Sequence, residues 1–157
     1  CANVFTRTKC RLTKRTTTEV NMKSDTLAGI HKRSFNTPRP WSAKEIDQLL
    51  LRDSTHLITG KNSFLLGVLT DYEAEILTLA VDPINRRLGI AKDLLKKFEN
   101  ICLQKNINKI VLEVAKNNVP AIQLYKSCHY VTKGKRKNYY TSPKGEKIDA
   151  IVMVKSI

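Results

Sequence analysis

The sequence predicts an α/β fold in which helices flank a mixed sheet, and two observations lead to this expectation. Apolar residues recur at the 3.6-residue spacing of amphipathic helices, and short β-branched or apolar runs stand between these segments. The 157 residues are 41% hydrophobic and 27% charged, which suits one domain with its own core. No apolar run approaches the roughly 20 residues of a membrane-spanning helix. We therefore expect neither a disordered chain nor an integral membrane protein.

The N-terminal segment differs from the rest of the chain. Residues 1–13 are rich in Thr, Lys and Arg and predict a mobile basic tail, with an RNA-binding arm as the alternative. Residues 15–20 are β-branched enough to favour a strand. Position 1 is Cys rather than Met, so we expect trimming, processing or fusion at this end. No apolar segment follows the basic start, which argues against a secretory signal.

Two helices and a hairpin are predicted next. Ser24 is a suitable N-cap for the first helix, and the prolines from Pro38 onward end it. Ser42 caps a second helix whose apolar residues share one side. The runs 64–69 and 75–81 read as strands, joined by a short polar turn.

The C-terminal half alternates between helical and extended patterns. Residues 89–103 place their apolar side chains on one helical face and lysines on the other. A nearly all-apolar strand follows at 110–114, and Asn118 then begins another helix. Two final strands are predicted at 130–137 and 149–154. The predicted order of elements is βααββαβαββ, without an internal repeat.

Charge and cysteine content narrow the classes of partner. Lys and Arg number 28 against 14 Asp and Glu, which gives a net charge of +14. Such a field favours nucleic acid, acidic lipid or a phosphorylated cofactor. The four cysteines form no C-x-x-C pair and have no histidine at zinc-ligand spacing. We expect reduced thiols in a cytoplasmic protein and no metal site.

The most informative stretch is residues 81–91, where a strand ends, a basic loop follows and a helix begins. Small residues at Gly89 and Ala91 uncover backbone N–H groups at a helix N-terminus, which favours negative charge. Three nearby side chains add positive charge: Arg86, Arg87 and Lys92. The stretch therefore suits a pyrophosphate, although it matches neither the Walker A loop nor the G-x-G-x-x-G fingerprint. The alternative is an ordinary strand-to-helix turn with surface arginines.

The motif Arg86-x-x-Gly89-x-Ala91 resembles the R/Q-x-x-G-x-G/A signature of the GCN5-related N-acetyltransferase (GNAT) superfamily. Further segments resemble the RimI-type ribosomal-protein-alanine N-acetyltransferases in order and spacing from about residue 16 onward. These are Pro40-Trp41-Ser42, Ala80-Val81-Asp82-Pro83, Leu112-Glu113-Val114 with Asn118, Ala121-Ile122-x-Leu124-Tyr125, Asn138-Tyr139-Tyr140 and Asp149-Ala150-Ile151-Val152-Met153. The resemblance implies one GNAT domain over residues 14–157. It also implies a mixed, mostly antiparallel sheet of about six or seven strands with about four helices.

The resemblance also implies acetyl-CoA as cosubstrate and a set of contacts for it. The implied cofactor-binding residues are Leu79, Ala80, Val81, Arg86, Arg87, Leu88, Gly89, Ile90, Ala91, Lys92 and Asn118. By the same resemblance, Glu113 is the general base and Tyr125 the general acid. An amine must lose a proton and a CoA thiolate must gain one. A carboxylate is a weak base for an amine, so we expect Glu113 to act through water or with strengthened basicity.

Outside the family context, these residues have plainer interpretations. A strand Glu is often an exposed edge residue, a helical Tyr is usually core, and Asn118 is a good helix cap. Tyr139 and Tyr140 are candidates to wall the substrate groove, with Trp41 opposite, or they pack a hairpin. Cys128-His129-Tyr130 departs from the usual Gly-containing turn of the family, and a His can adopt the left-handed conformation at some cost.

Three functions follow in order of preference. The first is acetyl transfer from acetyl-CoA to the N-terminal Ala of a small-subunit ribosomal protein, by direct attack in a ternary complex. The second keeps the fold and acetylates a Lys side chain, a polyamine or another small amine. The third is a non-enzymatic RNA-binding module. We expect a monomer. One basic cluster is expected to be a solvated strand face, with weak rRNA contact as the alternative: Lys133, Lys135, Arg136 and Lys137.

Overall fold

The computed structural model describes residues 23–157, which contain four α-helices and six strands. The helices are α1 (Ser24–Ser34), α2 (Ala43–Leu50), α3 (Ile90–Gln104) and α4 (Val119–Ser127). The strands are β1 (Thr55–Gly60), β2 (Ser63–Leu69), β3 (Ala74–Val81), β4 (Lys109–Ala115), β5 (Val131–Thr141) and β6 (Lys147–Ser156). The predicted basic tail (1–13) and first strand (15–20) lie outside the described residues.

The strands form one sheet in the order β1-β2-β3-β4-β6-β5. All neighbouring pairs are antiparallel except β3 and β4, which run parallel because α3 carries the chain back between them. These two strands share only three residue pairs, from Ala74 opposite Ile110 to Ile76 opposite Leu112. Beyond these pairs, the ends of β3 and β4 are not joined by the ladder. The mixed, mostly antiparallel sheet confirms the predicted fold class.

A β-bulge in β3 lies at the point where the two strands part. Leu66 of β2 pairs with Thr78, whereas the next residue, Gly67, pairs with Ile76. Leu77 is therefore the extra residue on β3. Bulges of this kind bend a strand and change the direction of its side chains, so the end of β3 is turned relative to its beginning.

Two apolar clusters cover the two faces of the sheet. The larger cluster packs Leu94, Leu95 and Phe98 of α3 against inward residues of the strands. The smaller cluster joins α1 and α2 to β2 and to Ala80. Residues of β2 alternate between the two clusters, and both of its faces are buried. This explains why β2 reads as a nearly continuous apolar run.

The helix caps agree with the sequence at two of three positions. The Ser42 hydroxyl accepts a hydrogen bond from the Glu45 amide, and the Glu45 carboxylate accepts one from the Ser42 amide, a complete capping box. The Asn118 side chain accepts from the Ala121 amide at the start of α4. The predicted cap at Ser24 is wrong by one residue, because Lys23 holds the cap position without a side-chain bond.

Strand β1 was not predicted from the sequence. Its six residues pair with β2 through a tight turn in which Asn62 has a φ of +45°. Only Thr55 and Ile58 are buried in it, so its apolar signal is weak. The available signal was the β-branched run near Ile58 followed by a Gly-Lys-Asn turn.

Among residues 23–157, no helix is both long and apolar enough to cross a bilayer.

Candidate active site

A cavity of about 600 Å³ opens beside the end of β3, between the first turn of α3 and helix α4. Its walls come from the end of β3, the loop into α3, the first turn of α3, the first turns of α4 and the end of α1. Leu79, Val81 and Leu124 are among its apolar lining residues, and its basic residues belong to the loop and the start of α3. The cavity therefore combines an apolar strand wall with a positively charged loop.

The loop between β3 and α3 is shaped by local sequence. Asp82 accepts from the Ile84 amide and caps a short 3-10 turn over Pro83–Asn85. Arg87 has a φ of +65° and Gly89 a φ of +79°, both in the left-handed region. Gly89 suits this conformation because it lacks a Cβ, while Arg87 adopts it at some cost. Two left-handed residues so close together turn the chain sharply into α3.

The first turn of α3 points unpaired backbone amides toward the cavity. The first bond within the helix runs from the Asp93 amide to the Gly89 carbonyl, at 3.1 Å. The amides of the residues between them precede the helical ladder and are directed out of the helix end. Ile90, Ala91 and Lys92 all line the cavity. The partial positive charge of the helix terminus and the Lys92 side chain therefore face the same space.

Arg86 is used within the protein and does not simply extend into the cavity. Its guanidinium donates to the Val81 carbonyl at 3.3 Å and to the Ser34 carbonyl at 3.2 Å. Nearby, Arg33 pairs with Asp82 at 2.6 Å, and this pair lowers the pKa of the buried Asp82 carboxyl. Two arginines thus link the end of α1 to the loop, because Arg33 pairs with Asp82 and Arg86 bonds to the Ser34 carbonyl.

The cavity brings together nine of the eleven predicted cofactor-binding residues. These are Leu79, Val81, Arg86, Arg87, Gly89, Ile90, Ala91, Lys92 and Asn118. The Ala80 side chain instead belongs to the smaller cluster on the opposite face of the sheet. Leu88 lies outside the lining, with a side chain that is largely exposed. At these two positions, only the backbone remains available to a ligand in the cavity.

Glu113 lies on β4 beside three side chains of β5. Its carboxylate forms an ion pair with the Arg136 Nε at 2.6 Å. The Tyr140 hydroxyl donates to the Glu113 backbone carbonyl at 3.4 Å, and the Arg136 guanidinium lies over the Tyr139 ring. A hydrogen bond with the Glu113 carboxylate raises the pKa of Tyr139, and burial raises the pKa of Tyr140 to about 12. We call Glu113, Arg136, Tyr139 and Tyr140 the acceptor-face cluster.

A second carboxylate stands near this cluster. Glu75 of β3 is exposed, and its pKa is raised, first by partial burial and then by the charge of Glu113. Within residues 23–157, no ion pair or side-chain hydrogen bond engages it. Within the described residues, Glu75 therefore adds one carboxylate without an ion pair beside the Glu113–Arg136 pair.

Tyr125 is buried in the larger core, where its ring meets the Tyr130 ring edge-on at 5.7 Å. Burial raises its pKa well above that of free tyrosine, with smaller contributions from Tyr140 and Cys128. The hydroxyl is therefore protonated throughout the physiological range. Its neighbours Ala121 and Leu124 on α4 line the cavity.

Trp41 lies apart from the two tyrosines, on the α1 side of the sheet. Its ring stacks on His31 with centroids 5.0 Å apart, and its backbone N–H donates to His31 Nδ1. His31 Nε2 pairs with the Thr78 hydroxyl at 3.2 Å. Burial lowers the pKa of His31 to about 4, which keeps the ring neutral. His31 therefore joins α1, the segment before α2 and strand β3.

Several residues of the site were missed at the sequence level. Ser34 and Phe35 line the cavity from the end of α1, and no local pattern marks them. Arg136 was assigned to a solvated basic face, yet it turns to Glu113. Lys135 of the same run pairs with Asp149 at 2.9 Å. Half of the predicted basic cluster is thus neutralised by carboxylates.

Comparison with known proteins gives consistent results. Residues 27–130 match the Acetyltransferase (GNAT) family. The chain is 38% identical over 81 residues to the [Ribosomal protein bS18]-alanine N-acetyltransferase of Haemophilus ducreyi, a match covering 52% of this chain and 56% of that relative. It is 35% identical over 81 residues to the enzyme of the same name in Escherichia coli K12, covering 52% and 54%. These matches thus span about half the length of each relative.

The fold is also similar to a solved structure. The crystal structure of the ribosomal-protein-S18-alanine N-acetyltransferase from Escherichia coli superposes with a TM-score of 0.74. The two chains are 27% identical, and the superposition covers 85% of this chain and 87% of the other. The similarity therefore extends across nearly all of the described residues.

Proposed function

The chain belongs to the GNAT family of acetyltransferases, and from this premise we propose that it transfers the acetyl group of acetyl-CoA to an N-terminal α-amino group. The proposed acceptor is the N-terminal Ala of a small-subunit ribosomal protein, as in the names of the two bacterial relatives. The observation that supports this most strongly is the position of the cavity. It lies between the N-terminus of α3 and helix α4, the helix that bears Tyr125, although Tyr125 and Glu113 are themselves outside its lining.

The cavity has the chemistry that acetyl-CoA requires. The first turn of α3, with Arg87 and Lys92, suits the pyrophosphate because it combines backbone donors with positive charge. The apolar wall of Leu79 and Val81 suits the less polar arm that follows. The backbone at the end of β3 is free of a ladder with β4, so it can receive the arm along its edge. The Asn118 side chain also lines the cavity, although it already caps α4.

Acetyl transfer requires a group that takes a proton from the amine and one that supplies a proton to sulfur. The amine nitrogen bonds to the acetyl carbon, the carbon–sulfur bond breaks, and no acyl-enzyme forms. We assign the first proton to Glu113, acting through a water molecule. We assign the second to Tyr125, whose buried hydroxyl stays protonated and can hydrogen-bond the sulfur before the proton is transferred.

The acceptor would approach from the face that bears the acceptor-face cluster. Tyr139 is half-exposed there, while Tyr140 is more deeply buried against Glu113. Two aromatic rings packed edge-on give a narrow wall that suits a short peptide end. An acceptor on the ribosome also implies a cytoplasmic protein. Weak rRNA contact remains a proposal for the exposed lysines of β5.

A small polyamine or a Lys side chain is the second candidate acceptor, and Glu75 is the observation that favours it. A carboxylate without an ion-pair partner in the described residues, close to Glu113, would attract an additional positive charge on the acceptor. A polyamine carries such charges along its whole length, whereas a peptide N-terminus carries one at its end.

The proposed function is tested by CoA release from acetyl-CoA with three acceptors. The first is a ribosomal-protein N-terminal peptide that begins with free Ala. The second is the same peptide with a blocked N-terminus and an internal Lys, and the third is spermidine. Turnover restricted to the free Ala peptide supports the proposal. Turnover on the blocked peptide or on spermidine replaces it with the second candidate, and no turnover while acetyl-CoA binds contradicts both acceptors.

A further inference from the structure

The acceptor-face cluster contains Arg136, whose guanidinium contacts both a carboxylate and an aromatic ring. The Arg136 Nε lies 2.6 Å from a Glu113 carboxylate oxygen, and the Arg136 Cζ lies 5.4 Å from the centre of the Tyr139 ring. The Arg136 side chain is 59% exposed, whereas the Glu113 side chain is only 12% exposed. The Glu113 side chain is therefore largely buried, whereas the Arg136 side chain lies on the surface of the sheet.

An interruption in the last hairpin brings these residues together. Arg136 pairs with Ala150 of β6, but the next aligned pair is Tyr140 with Ile148. Three residues of β5 thus stand against Asp149 alone. Asn138 takes a φ of +56°, and its amide donates to the Asp149 carboxylate at 3.0 Å. The bulge changes the strict alternation of side chains, so Arg136, Tyr139 and Tyr140 all reach Glu113.

We infer that Arg136 is a positioning residue, which fixes the Glu113 carboxylate on the acceptor face of β4. This inference rests on the proposed function, in which Glu113 receives the proton of the amine. A glutamate side chain has three rotatable bonds, and only a narrow range of its rotamers would hold the carboxylate near an acceptor. The Tyr140 hydroxyl fixes the backbone of Glu113, whereas Arg136 fixes its carboxylate.

The geometry suits arginine better than lysine. A planar guanidinium can pair with a carboxylate along its edge and stack on an aromatic ring with its face. Arg136 forms an ion pair with Glu113 through its Nε, and its Cζ lies over the Tyr139 ring. An ammonium group would supply the charge without fixing the plane of the carboxylate. Lysine at this position should therefore restore part of the effect.

If Arg136 had a purely structural role, its loss would lower the stability of the fold or weaken the binding of acetyl-CoA. An ion pair with one exposed partner contributes little to stability, so its loss should leave the folded protein nearly intact. Arg136 also lies outside the cavity lining, so its loss should not change the affinity for acetyl-CoA. The two readouts that a structural role would move are therefore expected to stay constant.

The activity test compares Arg136→Gln and Arg136→Lys with Lys144→Gln, an exposed charge in the turn of the same hairpin. We expect Arg136→Gln to lower kcat by about 10- to 100-fold, with an unchanged dissociation constant for acetyl-CoA. Arg136→Lys should fall between it and the wild type, and Lys144→Gln should match the wild type. Equal kcat in Arg136→Gln and Lys144→Gln overturns the inference.

A test without an acceptor separates this inference from the proposed function. In the wild type, the Arg136 Nε–H should give a resolved NMR signal with slowed solvent exchange, because the Glu113 carboxylate holds it. Glu113→Gln should remove that protection, and Lys144→Gln should retain it. Rapid exchange in the wild type overturns the inference. A protected signal in a protein without turnover on any peptide refutes the acceptor while supporting the pair.

Discussion

Tyr125 shows how burial holds a single residue in its protonated form. Its raised pKa leaves the hydroxyl protonated, and its ring fills the core. We predict that Tyr125→Phe lowers kcat by about 100-fold or more, with little change in Tm because the ring contacts remain. Steady-state kinetics and thermal melting measure the two effects.

Tyr130→Phe is the matched control for this substitution. Tyr130 packs against Tyr125, but its hydroxyl is directed to Glu99 at 3.4 Å. Removal of that hydroxyl should leave kcat near the wild-type value. An equal loss of kcat in both variants would show that packing, rather than the Tyr125 hydroxyl, is responsible.

His31 provides a pH-dependent contribution to stability. Its pKa in the folded protein is about 4, below the ordinary value of 6.5 that applies to the unfolded chain. The unfolded chain therefore binds the proton first as the pH falls. The contribution is fully present above pH 6.5 and is lost as the pH falls toward 4, with a slope of up to about 1.4 kcal/mol per pH unit.

Urea unfolding at pH 7 and pH 5 measures this contribution. Other groups also titrate in this range, so the comparison is between the wild type and His31→Gln. The wild type should lose more unfolding free energy than the variant between the two pH values. Identical losses in both proteins would contradict the assignment to His31.

At the scale of elements, Gly67 of β2 lies directly against Phe98 of α3. A Cβ at this position would lie 2.3 Å from the Phe98 Cζ, and Phe98 is fully buried. The ring has no space to move into, so Gly67→Ala should destabilise the protein by about 1–3 kcal/mol. Equilibrium urea denaturation measures the change in unfolding free energy.

Gly134→Ala is the control, since it makes the same substitution within another strand. Its Cβ would meet nothing nearer than Val152 at 4.0 Å. The unfolding free energy should change by less than about 1 kcal/mol, in either direction. If both substitutions destabilise equally, strand backbone effects rather than the Phe98 contact determine the result.

The sequence predicted the elements with strong periodicity and missed features that depend on pairing. Helix α3 and strands β2 to β6 follow from apolar spacing and from turn residues. Strand β1 was missed because only two of its six residues are buried. The β5 bulge was missed because it is a property of two strands in register. Because of this bulge, Arg136 pairs with Glu113, whereas the sequence predicts a solvated strand face at this position.

The candidate site likewise combines local features that the sequence predicts with contacts between residues that are distant in the chain. The loop with Gly89 could be predicted because its backbone requirement leaves a mark on the sequence. The tether of Arg86 to Ser34 could not, because these residues are 52 positions apart and meet only in the folded chain. The roles of Glu113 and Tyr125 were inferred from family resemblance, and they stay predictions.

At the scale of the whole molecule, the net charge of +14 should control the encounter with an anionic cosubstrate. We predict that raising KCl from about 50 to 500 mM weakens acetyl-CoA binding by about 3- to 10-fold, because salt screens the loop and the helix terminus. Calorimetric titration measures the dissociation constant at each concentration.

Arg87→Gln should reduce this salt dependence, since Arg87 lines the cavity. Lys61→Gln removes a charge from the exposed turn between β1 and β2 and should retain the wild-type dependence. The prediction fails if the dissociation constant is independent of KCl, or if the two variants respond alike.

The three-pair contact between β3 and β4 has a mechanical consequence for the sheet. The strands form two hydrogen-bonded blocks, β1–β3 and β4–β6–β5, and the ladder between them is short. The shared core on the α3 face resists separation of the blocks, but the backbone adds little stiffness beyond Ile76. A ligand seated between the strand ends would bridge the blocks and oppose their opening. The rigidity of the sheet thereby becomes a property of the occupied protein, and the empty protein is more compliant along this seam.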